Sequence, residues 1–68
     1  MDTKIFVIAG IYDGKIGFLS FDQASGGYPY ISGIIRDQTF DKLKALSWLE
    51  EAKMTDLEES EIYEICLN

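Results

Sequence analysis

Two apolar runs joined by an Asp-Gly pair constrain the fold of this chain more than any other feature. Residues 4–12 and 15–21 are rich in β-branched and aromatic side chains, which suit a pleated surface. Asp13 and Gly14 stand between the runs, and both residue types tolerate the positive φ that a two-residue hairpin turn requires. The sequence therefore predicts an antiparallel hairpin.

The middle of the chain predicts a third strand followed by a helix. Turn-forming residues fill 22–27, and residues 30–35 are predicted to form an edge strand because Pro29 cannot donate a ladder hydrogen bond. Thr39 is the predicted N-cap of a helix over 40–53, with Asp41 in its first turn. Phe40 and Trp48 are predicted to lie outside the centre of the apolar stripe, which comprises Leu43, Ala45, Leu46, Leu49 and Ala52.

The predicted architecture is a single small α+β domain over residues 1–68. An acidic connection over 55–60 precedes a final strand at 62–67. We expect a mostly antiparallel sheet of three to four strands with one helix packed on one face, in the order β-β-(β)-α-β.

The predicted strands are apolar on both sides. In the first strand, Val7 and Ala9 face one side, while Phe6 and Ile8 face the other. One helix covers only one face, and strands that are apolar on both sides usually have both faces covered. The second face is therefore either an ordinary solvated face or is covered by the loop at 22–30, by a second copy in a homodimer, or by a different protein.

The residue types that are missing exclude several kinds of chemistry. The chain has no histidine and a single cysteine, Cys66, which removes histidine bases, Ser-His and Cys-His pairs, and histidine or thiolate zinc sites. We therefore expect no enzyme activity, no catalytic residue, no metal site and no cofactor. The lone cysteine and the lack of a secretory pattern at residues 1–4 favour the cytoplasm. The apolar run at 5–11 is far shorter than the roughly 20 residues that span a membrane.

The negative charge is confined to one part of the sequence. Residues 1–49 carry five acids and five bases, whereas residues 50–68 carry seven acids and one lysine, which accounts for the whole net charge of −6. Such a segment repels nucleic-acid backbones and anionic membranes, so we expect neither as a direct ligand. A protein with a basic surface is the expected partner.

Three groups of residues are candidate sites. The acidic segment would bind a partner as a mimic of the phosphates of DNA, or it would serve only as a solvated surface; it comprises Glu50, Glu51, Asp56, Glu58, Glu59, Glu61 and Glu64. Trp48 and Phe40 would contribute to the same interface, or Trp48 would close the edge of the core. The third group would hold a small ligand through backbone amides and stacking, or it would form only a tight turn; it comprises Ser25, Gly26, Gly27, Tyr28 and Tyr30.

The middle of the chain resembles a motif in short uncharacterised proteins of tailed bacteriophages. The resemblance lies in Gly-Phe-Leu-Ser-Phe-Asp at 17–22 and Ala-Ser-Gly-Gly-Tyr-Pro-Tyr at 24–30, and Ile31 stands where those proteins often have tryptophan. It implies a non-enzymatic accessory protein that binds and inhibits a host protein, namely a defence or nucleic-acid-processing factor in the host cytoplasm. A nucleotide-like ligand binder built on the loop at 25–30 and a homo-oligomeric assembly protein are the alternatives.

Overall fold

Four strands and one helix make up the fold, which confirms the predicted α+β class. The computed structural model describes residues 3–67, so predictions that involve Met1, Asp2 and Asn68 lie outside the described residues. The sheet has the order β3-β2-β1-β4, and every neighbouring pair is antiparallel. The elements are β1 (Lys4–Tyr12), β2 (Lys15–Asp22), a 3₁₀ turn (Gln23–Ser25), β3 (Tyr28–Ser32), α1 (Lys42–Ala52) and β4 (Glu58–Cys66).

The predicted hairpin between β1 and β2 is confirmed. Asp13 and Gly14 have φ of 53° and 75°, and Tyr12 is the register partner of Lys15 directly before and after them. Two consecutive residues with positive φ match the twist of the strands on either side, which is why this turn favours an Asp-Gly pair.

Both later strands begin earlier than the sequence predicts. β3 includes Pro29 and lies at a sheet edge as expected, but it begins at Tyr28 and ends at Ser32. β4 begins at Glu58, within the segment that was predicted to be a connection. Glutamate is a poor strand former, and pairing with β1 overrides that local preference.

The predicted start of the helix is wrong by two residues. The N-cap is Asp41, whose Oδ1 accepts a hydrogen bond from the Leu43 amide at 3.0 Å. Thr39 lies outside the helix because its backbone pairs with Phe6 of β1, through N···O distances of 2.8 and 3.1 Å. The Thr39 hydroxyl accepts from the Asp41 amide at 3.1 Å and so supports the turn that leads into α1.

The predicted apolar stripe of the helix is confirmed for Ala45, Leu49 and Ala52 but wrong for its two other leucines. Leu43 and Leu46 are 76% and 45% exposed, whereas Ala45 and Ala52 are fully buried. Small alanine side chains let the helix approach the sheet closely, and the larger leucines are left on the outside. Trp48 lies on the buried side instead, and its ring packs on that of Phe21 at 5.2 Å between centroids.

A pair of glycines leaves room on the sheet for a core side chain. Gly10 of β1 and Gly17 of β2 are register partners, and the buried side chain of Leu57 lies against both. A Cβ at Gly10 would lie 3.0 Å from Leu57 Cγ, and one at Gly17 would lie 3.2 Å from Leu57 Cδ1. Leu57 thereby reaches the core cluster, which also contains Ile8, Leu19 and Ala52.

The chain between β3 and α1 crosses from one edge of the sheet towards its centre. Ile35 lies on the face opposite α1, the Asp37 carboxylate accepts from the Phe21 amide at 2.9 Å, and Thr39 reaches β1. Ser20, on that same opposite face, is 0% exposed. The segment at 33–39 therefore covers part of the second face, a role for which the loop at 22–30 had been considered.

The glycine pair yields a stability prediction. We expect Gly10→Ala to lower the free energy of unfolding by about 1–3 kcal/mol, the usual cost of overpacking, because the backbone oxygen of Glu58 blocks the new methyl group. Gly33→Ala is the matched control, since nothing lies within 4 Å of a Cβ there. Urea unfolding of the two variants measures the difference, and equal stabilities would contradict the packing described.

The buried serines yield a second prediction. The Ser20 hydroxyl has no hydrogen-bond partner among residues 3–67, whereas that of Ser32 accepts from the Ile34 amide at 3.2 Å. We expect Ser20→Ala to leave the free energy of unfolding unchanged or to raise it by up to about 1 kcal/mol. Ser32→Ala should lower it by about 0.5–1.5 kcal/mol. A larger loss for Ser20→Ala in thermal unfolding would show a partner that the described contacts lack.

Candidate functional site

The face of the sheet opposite α1 carries an apolar surface that the helix does not cover. Successive side chains of a strand point to opposite faces, and the residues that face α1 include Ile8 and Leu19. We call the other side the open face, and its apolar residues around the groove described next are Val7, Ala9, Ile11, Ile16, Phe18, Tyr63 and Ile65. The expectation of a second apolar face is therefore met in the fold, although the segment at 33–39 covers part of it.

A groove of about 800 Å³ runs across the open face. Val7 and Ala9, from the central strand β1, are buried and form its floor. The more exposed side chains of Ile16, Ile35 and Tyr63 surround that floor. The groove is therefore an apolar surface that is held by three strands and bounded on one side by the segment at 33–39.

Two glutamates, Glu59 and Glu61, line the same groove. Both are exposed, and neither has a basic partner within 4 Å in the part of the chain that the structure describes. Glu61 is the register partner of Ala9 and therefore lies beside the groove floor. The open face thus combines an apolar floor with negative charge along the β4 side.

A β-bulge positions these glutamates. Ala9 pairs with Glu61 and Ile11 pairs with Glu58, so two residues of β4 oppose the single residue Gly10. Glu59 lies in the bulge with φ of 52°, a left-handed conformation that costs a residue with a side chain about 1–2 kcal/mol. Strained backbone of this kind is concentrated at functional sites, which makes the bulge the most notable local feature of the groove.

The remaining acidic residues do not join this site. Asp56 and Glu58 line a separate hollow with Tyr12 and Asp13. Glu64 lies on the α1 side of the sheet, where its carboxylate is 3.7 Å from the Lys4 ammonium. On α1, Glu50 is 3.7 Å from Lys53, and Glu51 is exposed. The predicted acidic segment is therefore divided among several surfaces and does not form a single one.

The β4 acids also have a plain structural role. β4 is an edge strand, and its outer backbone groups are available for pairing with another chain. Like charges along such an edge oppose the pairing of two copies. At the other edge, β3 is short and contains Pro29, which has the same effect.

The glycine-rich loop is held by hydrogen bonds between its own residues, so it offers few amides to a ligand. Asp22 accepts from the Ala24 amide at 3.0 Å and from the Ser25 hydroxyl at 2.8 Å. The Gly26 amide donates to Gln23 O, and the Gly27 amide donates to Asp22 O at 2.8 Å. The turn is therefore explained by its own hydrogen bonds.

The tyrosines of that candidate site lie away from the loop amides. Tyr28 and Tyr30 line a shallow hollow of about 380 Å³ together with Tyr12, Pro29 and Met54. All three tyrosines are exposed. Ser25, Gly26 and Gly27, whose amides were predicted to act with these tyrosines, do not line this hollow.

Trp48 and Phe40 are not one exposed pair. Trp48 is half-buried against Phe21, and the Lys44 ammonium lies 5.8 Å from its ring centroid. Phe40 is exposed just before the N-cap of α1. Trp48 therefore closes the edge of the core, which was the alternative considered for it.

The described residues contain neither a metal-ligand cluster nor a membrane-spanning helix. Within residues 3–67, no group of three acidic or cysteine side chains is placed to hold a metal ion. No helix in that range has the length and apolar character needed to cross a membrane. Comparison with known proteins finds no matching family model, no similar curated protein and no similar solved structure.

Sequence reasoning identified Glu59 and Glu61 but missed the apolar residues around them. Ile16, Phe18 and Ile35 belong to the predicted strands at 15–21 and 30–35, but none of them was among the candidate site residues. The signal was present in the two-sided apolar pattern of the strands, but the pattern alone does not show which face the helix covers.

The strained bulge yields a third prediction. Glu59→Gly should raise the free energy of unfolding by about 0.5–1 kcal/mol, because relief of the left-handed strain exceeds the added flexibility of the unfolded chain. Glu61→Gly, two residues along the same strand, should instead lower it by about 0.5–1 kcal/mol. Chemical denaturation measures both changes, and a loss at Glu59 would disprove the strain.

Proposed function

We propose that this protein acts by binding another protein through the open face. The observation that carries the proposal is the groove of about 800 Å³ on that face, with an apolar floor and surrounding side chains that no helix covers. A concave surface lined mainly by apolar side chains is a usual place for binding. A fold of this size also buries little of its own surface, so a partner adds stability that the isolated domain lacks.

The charge on the groove supports a partner with a basic surface. Glu59 and Glu61 contribute two carboxylates to the groove, and the chain as a whole carries a net charge of −6. Complementary charge accelerates association and orients the partner. Because the other acids lie on separate surfaces, the geometry favours a mixed apolar and acidic contact over an extended mimic of DNA phosphates.

The resemblance to small phage proteins suggests what such binding does. We propose that the partner is a host defence or nucleic-acid-processing factor in the host cytoplasm, and that occupation of the partner's basic surface inhibits it. The proposal involves no catalytic step. The loop at 25–30 is less suited to a small ligand, because the Gly26 and Gly27 amides donate to the carbonyl oxygens of Gln23 and Asp22.

The proposal predicts that one exposed isoleucine controls binding. Ile16→Lys places a positive charge among the apolar residues of the groove, and we expect it to abolish capture of the partner from a bacterial lysate, because the lysine is desolvated on docking and repels a basic partner. Ile16 is 66% exposed, so the variant should keep its fold by circular dichroism. Affinity capture with quantitative mass spectrometry measures the loss.

Leu43→Lys is the matched control for this experiment. Leu43 is also a large aliphatic residue, 76% exposed, but it lies on the outer side of α1. A protein that is captured by the native chain and by Leu43→Lys, but not by Ile16→Lys, supports the open face as the docking surface. Equal capture by both variants would contradict the proposal.

A further inference from the structure

We infer that the occupant of the open groove is an amphipathic helix that carries basic residues along one side. The inference rests on the proposed function and names the partner's chemistry at the same site. Three observations support it: the dimensions of the groove, the distribution of charge along it, and the two sheet edges, which are poorly suited to pairing with an added strand.

The dimensions of the groove suit a helix. Its lining extends over β1, β2 and β4, which are three adjacent strands. With strands about 4.8 Å apart, the groove is about 10 Å wide, which matches the diameter of a helix with its side chains. Along β1 the lining extends from Val7 to Ile11, or about 13 Å at 3.3 Å per residue, which corresponds to between two and three helical turns.

The covered face of the sheet shows how a helix packs here. The 11-residue α1 contacts its side of the sheet through Ala45, Trp48, Leu49 and Ala52. A second helix on the open face would complete a three-layer arrangement, in which a sheet with two apolar faces has a helix on each. The segment at 33–39 supplies Ile35 to this side but contains no helix.

The charge distribution determines which helix fits. Glu59 and Glu61 lie on the β4 side of the groove, whereas the isoleucines Ile16 and Ile35 line it elsewhere. An occupant would therefore need an apolar stripe for the floor and lysine or arginine residues on the side that faces β4. An acidic or uniformly apolar helix would leave the two carboxylates partly desolvated without partners.

The sheet edges argue against an added strand as the occupant. Edge pairing would use β3 or β4, yet β3 is short and contains Pro29, and β4 carries four glutamates. Neither edge is part of the groove floor, which β1 forms through Val7 and Ala9. The available apolar area thus lies on the face, where a helix docks, and not along an edge.

A designed peptide provides the test, because it does not depend on knowing the natural partner. The probe is a helical peptide of about 18 residues, long enough to be partly helical in water, with a leucine and alanine stripe flanked on one side by lysines. A second peptide has glutamate in place of each lysine. A third has the composition of the first but a scrambled order that removes the stripe.

The expected result is selective binding of the lysine peptide at the open face. Amide chemical shifts should change along Val7–Ile11 and Glu59–Glu61, with little change on the outer side of α1. The variant with Glu59→Gln and Glu61→Gln should bind about tenfold more weakly, the effect of losing two partly exposed ion pairs. The matched variant with Glu50→Gln and Glu51→Gln should bind like the native chain. Equal binding of all three peptides, or shifts centred on α1, would overturn the inference.

Failure of the inference and failure of the proposed function give different results. If no helical peptide binds while Ile16→Lys still abolishes capture of a natural partner, the open face is a docking surface but its occupant is not a basic helix. Sedimentation of the protein alone tests a second copy as the occupant. Concentration-dependent dimerisation that Ile16→Lys removes would assign the groove to self-association and would likewise overturn the inference.

Discussion

The contact of Leu57 with the glycine pair of β1 and β2 organises this fold. Gly10 and Gly17 have no side chains, so Leu57 lies directly on the sheet and joins Ile8, Leu19 and Ala52 in the core. That contact anchors the turn after α1 to the centre of the sheet, and β4 begins immediately afterwards. The position of β4, and of the glutamates on it, therefore depends on the absence of a Cβ atom at Gly10 and Gly17.

The same crowding at Gly10 accounts for the irregularity in β4. The backbone of Glu58 and Ser60 lies so close to Gly10 that any side chain there would overlap it. β4 accommodates this approach with an extra residue, and Glu59 takes up the strained conformation. Packing on the covered face and the placement of charge on the open face are thus connected through one strand pair, so the open face is not independent of the core.

Much of this arrangement was predictable where local chemistry dominates. The Asp13-Gly14 turn, the edge position of β3 and the two-sided apolar strands follow from turn geometry and alternation, and the structure has them. The helix cap and part of the stripe were not predicted correctly, because Thr39 pairs with β1 and because Leu43 and Leu46 are exposed. Both errors reflect tertiary contacts that no local pattern encodes. The groove itself depends on which face α1 covers, a choice that the sequence leaves open.

The pairing of β1 with β4 has a consequence for synthesis. β2, β3 and α1 all separate these strands along the chain, so one side of the apolar strand β1 stays unpaired until β4 has left the ribosome. Non-local strand pairing is slow, and an unpaired apolar edge is prone to associate with other chains. During that interval the unpaired edge of β1 is open to association with other chains, and pairing with β4 closes it. Charge that protects the finished sheet edge would then also limit aggregation while the protein is being made.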